Sequence, residues 1–118
     1  MLLVEDDALL LETTERFLGA HGLSVATCPS PFGVGSALAE HQPRLVVLDL
    51  MMPALSGDRI VEHASELGLE GDRLLIYSAL DEQRVRAVAA KLPGARYLVK
   101  GGGFFELLAM VRLMLGRR

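Results

Sequence analysis

The chain has 118 residues, 51% of them hydrophobic and 23% charged, which suits one globular domain with a substantial core and excludes a disordered segment. A net charge of −3, with no basic run beyond Arg117-Arg118, argues against direct nucleic-acid binding by this domain. Cys28 is the single cysteine, so no internal disulfide can form. No apolar run approaches the roughly 18 residues of a membrane span. The start, Met1-Leu2-Leu3-Val4-Glu5, lacks the basic segment of a signal peptide, so a reducing cytoplasm without membrane contact is expected.

In chain order, the pattern alternates strand and helix five times. Strands are expected at about 2–5, 23–27, 44–49, 73–78 and 95–99, and helices at about 7–20, 31–41, 57–68, 82–91 and 104–116. The first helix carries an apolar stripe of Leu10, Thr14, Phe17 and Leu18, and the second one of Val34, Ala37 and Leu38. The third carries Ile60, Ala64 and Leu67, the fourth Val85, Val88, Ala89 and Leu92. Gly22, Gly68, Gly71 and Gly94 punctuate helix exits, and Pro43 and Pro93 follow helices. This alternation implies right-handed crossovers and a parallel sheet covered by five helices on both faces. In the fifth helix Phe104, Leu107, Leu108, Val111 and Leu115 form the core stripe. Leu113 points the other way, flanked by Met110 and Phe105, either as scattered surface apolars or as a partner surface.

Chemistry concentrates at the strand ends. Leu45-Val46-Val47-Leu48 reads as a strand buried on both faces, and it runs straight into Asp49. An ionised carboxylate there is costly unless compensated. Glu5, Asp6 and Asp7 end the first strand, Ser78 the fourth and Lys100 the fifth. In a parallel sheet these ends share one edge, where open α/β folds place their ligands. Clustered carboxylates within about 4 Å repel by several kcal/mol at an effective dielectric near 20, which a divalent cation relieves. Asp7 stands either as a further metal contact or as the cap of the first helix. His21, His41 and His63 lie apart, without metal-ligand spacing, and Cys28 reads as a small half-buried hydrophobe. No glycine-rich phosphate loop of the P-loop or dinucleotide type is present.

Val4-Glu5-Asp6-Asp7, Asp49-Leu50-Met51-Met52-Pro53 with Ser56-Gly57, Ser78-Ala79, Tyr97 and Lys100 together resemble the motif set of bacterial response-regulator receiver domains. The resemblance covers essentially the whole chain, residues 1–118. It implies a flavodoxin-like sheet in the order 2-1-3-4-5. It also implies that a histidine kinase or phosphotransfer protein phosphorylates Asp49. Asp6 would be the main Mg²⁺ ligand, with Glu5 in support and with Asp49 and the Met51 backbone carbonyl completing the protein's share. Ser78 would be the switch hydroxyl, Lys100 the phosphate-binding lysine, able to pair with Asp49 before phosphorylation, and Tyr97 the aromatic switch. The face formed by helix four, strand five and helix five would meet an effector or a second copy of the chain, with Arg84, Arg86 and Lys91 beside the Leu113 patch.

Two departures bear on this expectation. The family usually has a cis-proline after its lysine, whereas Lys100 is followed by Gly101-Gly102-Gly103; a trans bond and a freer loop are expected. The first strand is also short. A metal-dependent phosphohydrolase using Asp49 as nucleophile is disfavoured, because Met51 stands where such enzymes place a second aspartate. A phosphorylation-independent receiver-like interaction module is the alternative reading. A metabolic enzyme is not expected, since a receiver catalyses only its own phosphorylation and dephosphorylation. No effector domain fits within 118 residues, so the chain is expected either to act alone or to belong to a longer regulator or hybrid kinase.

Overall fold

The computed structural model describes residues 1–53 and 56–116. Residues 54–55 and 117–118 lie outside that set. Five strands, β1 (Leu2–Val4), β2 (Ala26–Cys28), β3 (Val46–Leu48), β4 (Leu74–Ser78) and β5 (Arg96–Val99), pair in parallel in the order β2-β1-β3-β4-β5. The helices are α1 (Ala8–Ala20), α2 (Val34–His41), α3 (Gly57–Glu62), α4 (Ala64–Leu67), α5 (Glu82–Ala89) and α6 (Phe104–Leu115).

Alternation along the strands splits the core in two, because successive side chains point to opposite faces. Leu2, Val4, Val46, Leu48, Leu74 and Ile76 pack with Val34, Ile60, Val61, Ala64, Val85 and Val88 from α2 to α5. Leu3, Val47, Leu75 and Tyr77 pack with Leu11 and Leu18 of α1 and Leu107, Leu108 and Val111 of α6. Each expected stripe is buried in part: Thr14, Leu18, Val34, Ile60, Ala64, Val85, Val88, Ala89, Leu107, Leu108 and Val111 are buried, Leu10 is half-buried outside both clusters, and Leu11 and Met114 are buried in addition.

Among the described residues, six α-helices replace the expected five. The third expected helix is two pieces, because the His63 N–H is shared between the Arg59 and Val61 carbonyls and His63 leaves helical geometry at φ −104°, ψ 16°. The ladder restarts with Leu67 N–H donating to the His63 carbonyl, and Ala64 and Leu69 are both buried beyond the break. Helix two begins later than expected: Pro31–Gly33 form a 3₁₀ turn capped by the Ser30 hydroxyl, and α2 follows. Strand two also starts late. Leu23 N–H donates to the Leu18 carbonyl and Gly22 N–H to that of Gly19, so Leu23 belongs to the C-terminal cap of α1, with Gly22 at φ 88°.

One glycine brings the site together. A Cβ on Gly57 would stand 2.6 Å from the Asp49 carbonyl oxygen and 2.8 Å from the Leu50 Cα. Only a bare backbone lets the start of α3 lie against the segment that follows Asp49.

Candidate functional site

The register brings the acids together. Leu48 on β3 pairs with Val4 on β1, so the next residues, Asp49 and Glu5, leave adjacent strands side by side. Asp49 N–H donates to the Val4 carbonyl at 3.1 Å, and Lys100 N–H to the Ser78 carbonyl at 2.8 Å. Glu5, Asp49 and Ser78 are buried, Asp6 and Lys100 half-buried, and Asp7 exposed. Glu5, Asp6, Asp7, Asp49, Ser78 and Lys100 therefore follow or end strands at one sheet edge, whereas Tyr97 stands inside β5.

Lys100 Nζ donates to Glu5 Oε1 at 2.8 Å and to Asp49 Oδ2 at 3.3 Å. The pairing with Asp49 is thus present, but the shorter bond goes to Glu5. Burial raises the Glu5 pKa; the Lys100 hydrogen bond opposes that, and the like charge of Asp49 adds to it. Burial works against the Lys100 ammonium too, but the Glu5 hydrogen bond and the charges of Asp49 and Glu5 outweigh it, so the lysine pKa is raised. Two carboxylates share one ammonium, and Asp6 lies beside them in sequence.

Other polar contacts fix the frame. Glu5 Oε2 accepts from Asp7 N–H at 3.2 Å, and Asp49 Oδ1 accepts from Met51 N–H at 3.1 Å. Asp7 Oδ1 accepts from Leu10 N–H at 3.0 Å, so Asp7 caps α1, the second of its two expected roles. The Ser78 hydroxyl accepts from Leu80 N–H at 3.5 Å. Tyr97 is half-buried, and its hydroxyl donates to Glu82 Oε2 at 3.4 Å, at the first turn of α5.

The donor set suits a hard divalent cation in kind: two buried carboxylates stand together with one half-buried ammonium between them. Among the described residues, no three acidic, histidine or cysteine side chains converge as a finished metal cage.

No cis peptide bond occurs among the described residues, so the Lys100–Gly101 bond is trans as expected. Gly101 and Gly103 sit at φ 124° and 85°. Sequence reasoning missed Tyr77, which is buried beside Lys100, with Nζ 5.4 Å from its ring centroid. The alternation of β4 could have flagged it, since Tyr77 faces the α1–α6 side and directly precedes Ser78.

A family model for the response regulator receiver domain matches residues 1–112. The chain belongs to the response-regulator receiver family. The receiver is 34% identical over 119 residues to the response regulator MprA of Mycobacterium sp. (strain KMS), covering 99% of this chain and 50% of that protein. It thus spans about half the length of the curated relatives it matches. Among solved structures, the BeF3-activated N-terminal receiver domain of Klebsiella pneumoniae RstA superposes with a TM-score of 0.85 at 26% identity, covering 99% of this receiver and 97% of that chain. The receiver domain of Francisella response regulator 1452 gives 0.85 at 20% identity, covering 98% and 95%, a likeness of fold. Two-component signalling is accordingly the setting of this domain.

Proposed function

We propose that this receiver accepts a phosphoryl group on Asp49 from a histidine kinase or phosphotransfer protein and converts it into a change of surface. The observation that carries the reading is the Lys100 ammonium held between Glu5 and Asp49 at the C-terminal edge of the sheet. A buried carboxylate with a cation already beside it is a poised nucleophile, and the same cation meets the charge of the incoming group. An Asp49 carboxylate oxygen attacks phosphorus. The bond from phosphorus to the donor's imidazole nitrogen breaks, its electron pair stays on that nitrogen, and an acyl phosphate forms on Asp49. Lys100 stabilises the transferring oxygens, and the Ser78 hydroxyl hydrogen-bonds one of them. Asp6, Glu5, Asp49 and the Met51 carbonyl would hold Mg²⁺, which would supply further neutralisation of charge.

The same reading gives the switch. Drawing the Ser78 hydroxyl toward the phosphoryl group takes it from Leu80, and Tyr97 gives up Glu82 and turns inward. The face built from α5, β5 and α6 is thereby remodelled for an effector or a second copy of the chain. Residues 1–118 serve as the receiver unit, working in the cytoplasm, with no catalysis beyond adding and removing their own phosphoryl group.

The test is uptake of labelled phosphoryl group from a small acyl-phosphate donor. Wild type takes up label in Mg²⁺ and not in excess chelator, and Asp49→Asn takes up none. Equal labelling in chelator removes the metal from the account. Wild-type labelling of Asp49→Asn removes the acceptor.

A further inference from the structure

We infer that Tyr77 is a positioning residue for Lys100, its ring acting as a fixed wall that keeps the ammonium over the acid edge. The inference rests on the proposed phosphoryl transfer for its functional consequence, and on geometry for the contact itself.

The backbone beyond Lys100 offers the lysine little restraint. Three glycines follow, two of them at φ 124° and 85°. Behind it, Lys100 is tied to β4 by its N–H bond to the Ser78 carbonyl. The long side chain must still be aimed. Glu5 and Asp49 attract Nζ from one side, but a compact ammonium on a four-carbon stem can meet carboxylates in many ways. Tyr77 supplies the other side. It pairs with Leu98 on β5, two residues before Lys100, and so stands diagonally beside the lysine on the same face of the sheet. Its ring is only 7% exposed and packs in the core with Leu107, Leu108 and Val111, so it cannot move away cheaply. The 5.4 Å from Nζ to the ring centroid lies within reach of a cation–π attraction, which strengthens where water is excluded. An aliphatic residue here would fill the core without attracting the ammonium. The ring matters, and the hydroxyl does not.

The experiment compares wild type, Tyr77→Phe and Tyr77→Leu, each also in a Lys100→Met background. The readouts are the labelling rate from an acyl phosphate, a melting curve, and the NMR shift of the Lys100 ε-methylene. Tyr77→Phe should label within about twofold of wild type and Tyr77→Leu about tenfold more slowly, and neither substitution should matter once Lys100 is Met. The ε-methylene should show an upfield ring-current shift in wild type and Tyr77→Phe that is lost in Tyr77→Leu. Wild-type labelling by Tyr77→Leu overturns the inference, as does a deficit that survives in the Lys100→Met background or is shared by Tyr77→Phe. If wild type takes up no label, the phosphoryl-transfer reading fails, and the ε-methylene shift still decides the contact. A signal unmoved between wild type and Tyr77→Leu overturns it.

Discussion

Lys100 holds two buried acids, and its side chain is only 16% exposed. Removing it leaves Glu5 and Asp49 facing each other without a counter-charge. Lys100→Met should therefore cost about 3 kcal/mol of unfolding free energy, and adding Asp49→Asn should return about 1 kcal/mol or more. Urea titration of both variants checks this; equal stabilities would mean the acids are not repelling. The pH dependence has a definite sign. The raised Lys100 pKa contributes stability that is fully present below its ordinary value of 10.5 and is lost as pH rises through the folded value. Glu5 is also raised, so its contribution is likewise present below its ordinary 4.5 and lost as pH climbs through its folded value, the reverse of a simple salt-bridged acid. At this scale the sequence was legible wherever a polar residue ended an apolar run: Glu5, Asp6, Asp49, Ser78 and Lys100 all stood out that way. It could not rank Glu5 above Asp49 as the partner of Lys100, because that depends on side-chain reach across three strands. Nor did it draw attention to Tyr77, whose contact is made sideways between β4 and the end of β5.

At the scale of elements, apolar periodicity predicted every strand and most of each helix's buried face, but it put Leu10 in place of Leu11 and left out Met110 and Met114. Boundaries failed where the backbone's own hydrogen bonds decide. Leu23 is apolar and looks like strand, yet its N–H closes the cap of α1. The break at His63 is marked by neither proline nor glycine, so the periodicity of Ile60, Ala64 and Leu67 runs through it unseen. The loop after Lys100 gives a direct test of the local backbone. Gly101 sits at φ 124°, whereas proline is confined near −65°. Gly101→Pro, which installs the residue usual in the family, should therefore lower stability by about 1–3 kcal/mol and not improve labelling. A melting temperature at or above wild type, with faster labelling, would show that the glycine loop adapts freely.

For the whole molecule, the question is how a charge change at one sheet edge reaches a partner. Leu113 of α6 is 51% exposed and Phe105 70% exposed, but Met110, expected to flank Leu113, is half-buried against the α1–α6 core, and the Phe105 ring lies edge-on to Phe17 of α1. Two of the basic residues expected beside Leu113, Arg84 and Lys91, are engaged with α3 instead. Lys91 reaches Glu62 at 3.4 Å and Arg84 reaches Asp58 at 3.9 Å, both on α3. The exposed Lys91–Glu62 pair is weak and can be exchanged for a partner's acids, whereas Asp58 is half-buried. Leu113→Glu should weaken self-association promoted by an acyl-phosphate mimic while leaving the melting temperature near wild type, as sedimentation and a melting curve would register. Unchanged association, or a collapsed melting temperature, would assign Leu113 another role. All of this depends on where the phosphoryl group goes. The most direct measurement treats the acyl-phosphate-labelled receiver with borohydride, which reduces an aspartyl phosphate to homoserine, and then sequences its peptides. Homoserine at position 49 alone is the predicted result; homoserine at position 6 or 7, or a phosphate that resists reduction and maps to Ser78, would contradict it.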